Sequence, residues 1–155
     1  MGNELVPSDT TQFTDIISKI QNTCGDDGCV IYANLNGDSG TAFYTQFAAA
    51  GLSDKYTIAS FIMDESFSTA LGDAAVGTYA SANYFNSISS DKNTEFLKAY
   101  SDKYGAEKAK AVTAVGEATY DAVQMLAESL EKCGDDISTE SILSNFSGLT
   151  YDAPQ

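Results

Sequence analysis

The chain contains no histidine, and its eight basic residues are all lysine, so arginine is absent as well. Without histidine there is no Ser-His-Asp triad, no Cys-His pair and no His-ligated metal site. Without arginine there is no planar bidentate clamp for phosphate or carboxylate. The lysines face 22 acidic residues, which leaves a net charge of -14. A chain this acidic is repelled by nucleic acid and by anionic membrane surfaces, and nucleic-acid binding is excluded as a function. Long apolar runs are lacking too: no stretch spans a bilayer, and no basic segment with an apolar core stands at the start.

What is present suits one globular domain. The 155 residues are 43% hydrophobic and 11% aromatic, enough to bury a core. Acidic pairs such as Asp26-Asp27 and Asp135-Asp136 sit beside glycines, where turns place solvated carboxylates. They do not read as the two carboxylates of a glycosidase. There are three cysteines, and T-C-G-D-D-G-C spaces Cys24 and Cys29 across a turn. Two half-buried thiols and a small-loop disulfide formed in an oxidising compartment both remain open. Three thiols without histidine make a poor zinc site.

Apolar periodicity alternates between strand and helix. Glu4-Leu5-Val6 reads as a short strand stopped by Pro7, and Asp9 to Gln12 as a capping box. Phe13, Ile16, Ile17 and Ile20 then share a helix face. Cys29 to Ala33 is a continuous apolar run, expected to be a strand covered on both faces. After the N-G-D-S-G loop, Phe43, Tyr44, Phe47 and Ala48 fall at helical spacing, with Gly51 as the C-terminal stop. Further strands are expected over Thr57 to Met63 and Thr78 to Phe85, with a short helix over Ser66 to Leu71 between them. The remainder reads as helical: Phe96, Leu97, Tyr100 and Tyr104 on one face, then a helix from Val115 to Cys133. Tyr120, Val123, Leu126 or Ala127, and Leu130 form its expected inner face. A last short helix carries Ile142, Leu143 and Phe146, capped near Ser138.

The order βαβαβ(α)β followed by helices implies an α/β fold, a three-layer doubly wound parallel sheet. Ligands of such sheets collect outside the carboxyl ends of the strands. That rule singles out the loops Asn34 to Gly40 and Met63 to Ser66. Asn36, Asp38, Ser39, Asp64 and Ser66 there supply an amide, carboxylates and hydroxyls. This set suits a neutral, amide-rich small molecule and repels phosphate. The alternative is that N-G-D-S is only a helix-capping turn.

Four strings carry a resemblance: NLNGDSGTAFYTQFAAAG, ASANYFNSISSDKNTEF, EATYDAVQ and LTYDAPQ. In this order they resemble the urea and short-chain amide substrate-binding proteins of ABC transporters. These have the type 1 periplasmic-binding-protein fold, with amide-sensing regulators as close relatives. A more distant similarity is to branched-chain amino-acid binders. The resemblance covers Glu4 to Gln155 and implies a two-lobed clamp that closes on a small polar ligand and delivers it to a membrane permease. Within it, residues 1–155 are expected to form a single α/β domain of that clamp. About 3–77 would be second-lobe βαβαβ, and about 78–155 a crossing strand and helices. The chain accordingly reads as a piece of a longer protein that lacks its first lobe.

Carried over by motif, Asn36, Asp38 and Ser39 are ligand contacts in the N-G-D-S loop, and Asp64 and Glu65 lie in the acidic loop after the next strand. Tyr84 comes from A-N-Y-F, and Glu117 and Tyr120 from E-A-T-Y near the interlobe region. Core packing is the competing reading for both tyrosines, and a helix-start hydrogen bond for Glu117. The family often has Asn where Gly40 stands. The implied function is non-enzymatic, extracytoplasmic solute binding, in the periplasm or outside the cell, with no catalytic residue, cofactor or metal. A ligand-sensing domain of a regulator or receptor is the alternative. A homodimer is expected if helices cut off from their partner strands leave apolar faces exposed.

Overall fold

Phe13 and Ile17 are buried one helical turn apart, and they anchor the first helix, α1 (Thr14–Cys24). The computed structural model describes residues 2–155, which divide into two compact units between Ala82 and Asn83. In unit one, α1 leads to β1 (Val30–Tyr32), α2 (Gly37–Ala49), β2 (Thr57–Ser60), α3 (Glu65–Leu71), a single 3-10 turn and β3 (Thr78–Ala80). The strands lie parallel in the order β1-β2-β3, with Ile31 opposite Ile58 and Ala59 opposite Tyr79. A parallel sheet with helical connections confirms the α/β class. β3 belongs to unit one because it pairs with β2.

The unit-one core is largely aromatic. Phe13, Phe43, Tyr44 and Phe47 are almost wholly buried with Ile58, Tyr56 and Met63. Phe43 meets Phe13 and Tyr44 edge to face, with ring centroids 5.4 and 5.6 Å apart. Such pairs add roughly 0.5–1.5 kcal/mol each beyond area burial. A disulfide joins Cys24 to Cys29 and ties the end of α1 to the start of β1, which decides between the two open readings of these cysteines.

Several sequence expectations are corrected. Glu4 to Val6 is not a strand; it finds no ladder partner and is held by packing of Val6 and by an ion pair from Glu4 to Lys19. No capping box forms on α1. The first amide, at Phe13, donates instead to Gln46 Oε1 of α2 at 2.9 Å. β1 is not covered on both faces: Val30 is 71% and Tyr32 66% exposed, two residues apart on one open face, while Ile31 on the other packs against the core. β2 stops at Ser60, three residues early, because the Ser60 hydroxyl accepts from the Ile62 and Met63 amides and turns the chain away.

Unit two is helical: α4 (Asp91–Tyr104), α5 (Ala106–Ala109), α6 (Ala114–Cys133) and α7 (Thr139–Phe146). Ser90, Thr113 and Ser138 cap α4, α6 and α7 through their hydroxyls. Tyr84, Phe96 and Val112 form the core, with Tyr100 and Leu97 against it. The expected inner face of α6 is wrong. Tyr120, Val123, Leu126 and Leu130 are exposed, while Glu117 and Ser129 are buried. α7 packs where Ser129 donates to the Ile142 carbonyl at 2.8 Å, so the apolar stripe and the packed face of α6 do not coincide.

Candidate functional site

The two loops singled out by sequence come together at the carboxyl edge of the sheet. The first begins at Ala33, whose amide still donates to the Ala59 carbonyl of β2. Gly37 then turns with φ 55°, a left-handed conformation that glycine adopts without strain, and α2 starts. Asn36 precedes α2 in extended conformation, and its side chain makes no capping bond, so the amide is exposed and available. Asp38 is exposed in the first turn, where a carboxylate favours the helix dipole. Ser39 behind it is 1% exposed, and its hydroxyl has no hydrogen-bond partner. An orphaned buried hydroxyl of this kind calls for explanation.

Asp64 opens α3 as its N-cap, accepting from the Phe67 amide and the Ser66 hydroxyl, each at 2.8 Å. One of its carboxylate oxygens is thereby committed to the helix. Glu65 follows, half-buried, in the first turn. The loops are locked together at Gly40. A Cβ there would stand 2.4 Å from the Leu35 carbonyl oxygen and 2.8 Å from the Phe67 ring. A larger side chain at this position would have to displace the Leu35 carbonyl or the Phe67 ring. Beneath the loops, burial pushes the Tyr44 phenol above its ordinary value, while the neighbouring Ser60 hydroxyl pulls it back.

The remaining candidates belong to unit two. Tyr84 is fully buried, and its hydroxyl donates to Asn93 Oδ1 at 2.8 Å, so it is built into the unit-two core. Glu117 is also fully buried. Its carboxyl is pushed up to about 7, chiefly by burial and then by Asp121 four residues on, with the Gln155 backbone amide pulling the other way. Tyr120 keeps 37% of its surface exposed and stacks at 4.7 Å on Phe96. Asp121 and Tyr151, absent from the sequence-based set, stand beside these residues. For Asp121 the usable signal was its i, i+4 spacing from Glu117; for Tyr151 there was none. Among the described residues, no cluster of His, Cys, Asp or Glu could hold a metal ion. No helix of the described residues is long and apolar enough to cross a membrane.

Two loops converge at the carboxyl edge of a parallel sheet, the place where folds of this class hold their ligands. The chain belongs to the family described as periplasmic binding protein domain, whose model matches residues 1–155. Its fold is similar to the solute-binding protein of an ABC transporter from R. palustris, solved in complex with benzoate. That similarity has a TM-score of 0.77 at 20% identity, and covers 94% of this chain and 39% of that one. It is similar also to the amino acid ABC transporter substrate-binding protein of Pseudomonas fluorescens Pf-5, with a TM-score of 0.71 at 19% identity. There the match covers 94% of this chain and 38% of that one. The chain thus spans about two fifths of the length of these solved relatives. No curated protein matches it significantly.

Proposed function

We propose that the chain contributes one wall of a cleft for a small, uncharged polar solute, urea or a short-chain amide, within an extracytoplasmic ABC-type uptake protein. The observation that carries this reading is the junction at Gly40, which sets the Asn36-to-Ser39 loop beside the Asp64-Glu65 loop at the carboxyl edge of the sheet. The side chains offered there are an amide, carboxylates and a hydroxyl, with no lysine among them. Such groups accept from amide N–H donors and, through Asn36 and the first amides of α2, donate to a carbonyl. Asp38, Asp64 and Glu65 disfavour an anionic ligand.

In this reading Asn36 and Asp38 contact the ligand directly, Ser39 lies buried behind them, and Asp64 and Glu65 complete the wall. Tyr120 belongs to unit two, where it keeps part of its surface exposed. Tyr84 and Glu117 support the fold beneath it. A permease is the partner that would receive the ligand. Isothermal titration of the product of the complete reading frame with urea, acetamide, leucine and benzoate tests the proposal. Heat with urea or acetamide, abolished by Asn36→Ala with Asp38→Ala, is the expected result. Binding of benzoate alone, or no heat with any of the four, overturns it.

A further inference from the structure

Glu117 presents a problem of charge. It is fully buried, and neither of its carboxyl oxygens meets a hydrogen-bond donor among the described residues at good geometry. Asp121 Oδ1 is buried without a partner as well. The two residues stand four apart on α6, where side chains lie one above the other. Three orphaned carboxyl oxygens in one place, and two like charges to repel each other, form an arrangement that a folded protein avoids unless something neutralises it.

No lysine serves. On α6 itself, Lys132 is paired with Glu128, and on the neighbouring elements Lys110 pairs with Glu107 and Lys98 with Asp102. Lys92 reaches Asp152 at 3.8 Å. The Gln155 backbone amide faces Glu117, and Tyr151, itself beside Tyr120 and Asp152, faces Asp121. Tyr151 adds no positive charge: burial, Tyr120 and the two aspartates push its phenol up to about 12, so it stays neutral. The segment itself is strapped down by one backbone carbonyl and one side chain. Ser90 Oγ donates to the Pro154 carbonyl at 2.9 Å, and Asn83 Nδ2 to Gln155 Oε1 at 3.3 Å.

We propose that Glu117 and Asp121 share one proton in the folded chain, the protonated carboxyl donating to its neighbour, and that this shared proton lets α6 and the strap from Tyr151 to Gln155 close over a buried acidic pair. The proton comes from solvent on folding and returns to it on unfolding, so no other reactant is involved. The inference stands whether or not the loops of unit one bind an amide.

The sign follows from linkage. A carboxyl raised from 4.5 to about 7 binds more proton in the folded than in the unfolded chain between those values. Its contribution to stability is therefore full below pH 4.5, is lost as pH rises through about 7, and is flat above. The general repulsion of a chain of net charge -14 also favours acid, so the comparison must be with a variant. Chemical denaturation from pH 4.5 to 8.5 of the wild type and of Glu117→Gln, which keeps the donor but cannot titrate, isolates the effect. The wild type should release about one proton more than the variant on unfolding near pH 6. Parallel stability profiles for the two proteins overturn the proposal. Should Glu117→Gln fail to fold, the carbon-13 shift of the wild-type Glu117 carboxyl decides instead. A protonated position at pH 6 supports the shared proton, and titration in the ordinary carboxylate range overturns it.

Discussion

Gln46 of α2 caps the start of α1 from another element. Its Oε1 accepts from the Phe13 amide at 2.9 Å, and its Nε2 donates to the Thr11 carbonyl at 2.8 Å. One side chain thereby satisfies a helix-start donor and orders the segment before it. Gln46→Ala should cost roughly 1–2 kcal/mol in urea denaturation, in the range of a lost helix cap. Gln46→Glu keeps the acceptor, loses the donor and should fall between the two. Equal stability of all three proteins would show that the bridge contributes nothing.

Gly40 sets the spacing of the two loops at the sheet edge. Gly40→Ala puts a methyl 2.4 Å from the Leu35 carbonyl oxygen, an approach that backbone movement must relieve. The expected loss is about 1–3 kcal/mol, the usual cost of overpacking. Solute binding should weaken more than the stability change explains, since Asn36 and Asp64 move apart. Calorimetric unfolding and titration on the same sample separate the two effects.

The Cys24–Cys29 bond closes a short loop between α1 and β1, with a sequence separation of 5. Chain-entropy arguments give a loop this small about 2 kcal/mol. Reduction, or the Cys24→Ser, Cys29→Ser double variant, should lower the melting temperature of unit one by several degrees. The free thiol of Cys133 lies elsewhere, in α6, and its replacement by Ala should leave this difference unchanged.

Asn93 is the polar centre of unit two. Its amide donates to the carbonyls of Asn86 and Ile88 at 2.9 and 2.8 Å, and its oxygen accepts from Tyr84. Asn93→Ala leaves buried groups unpaired on all three sides, and the expected cost is about 3 kcal/mol or more. Tyr84→Phe removes one of the three bonds and should cost about 1 kcal/mol. Amide hydrogen exchange should report both changes in residues 83–155.

The sequence by itself determined most of the helices and several of their ends, because those signals are local. Gly25, Gly51 and Ser138 act at the positions where backbone geometry demands them, and the residues of α2 and α4 repeat at helical spacing whatever surrounds them. It determined equally the position of the two loops after β1 and β2, since strand, loop and helix follow one another along the chain. Tertiary structure decided what depends on residues distant in sequence. Glu4 to Val6 has strand composition but no ladder, since pairing needs a second strand in register. The apolar stripe of α6 was legible, yet α7 packs beside Ser129 and leaves Val123 and Leu126 exposed. Glu117 read as a ligand contact or a helix-start hydrogen bond, and only folding buried it with Asp121 and brought Tyr151 and Gln155 against them. Spacing fixes which side chains can meet on one element. Only the fold decides which of them lose solvent, and burial is what changes a charge into a constraint.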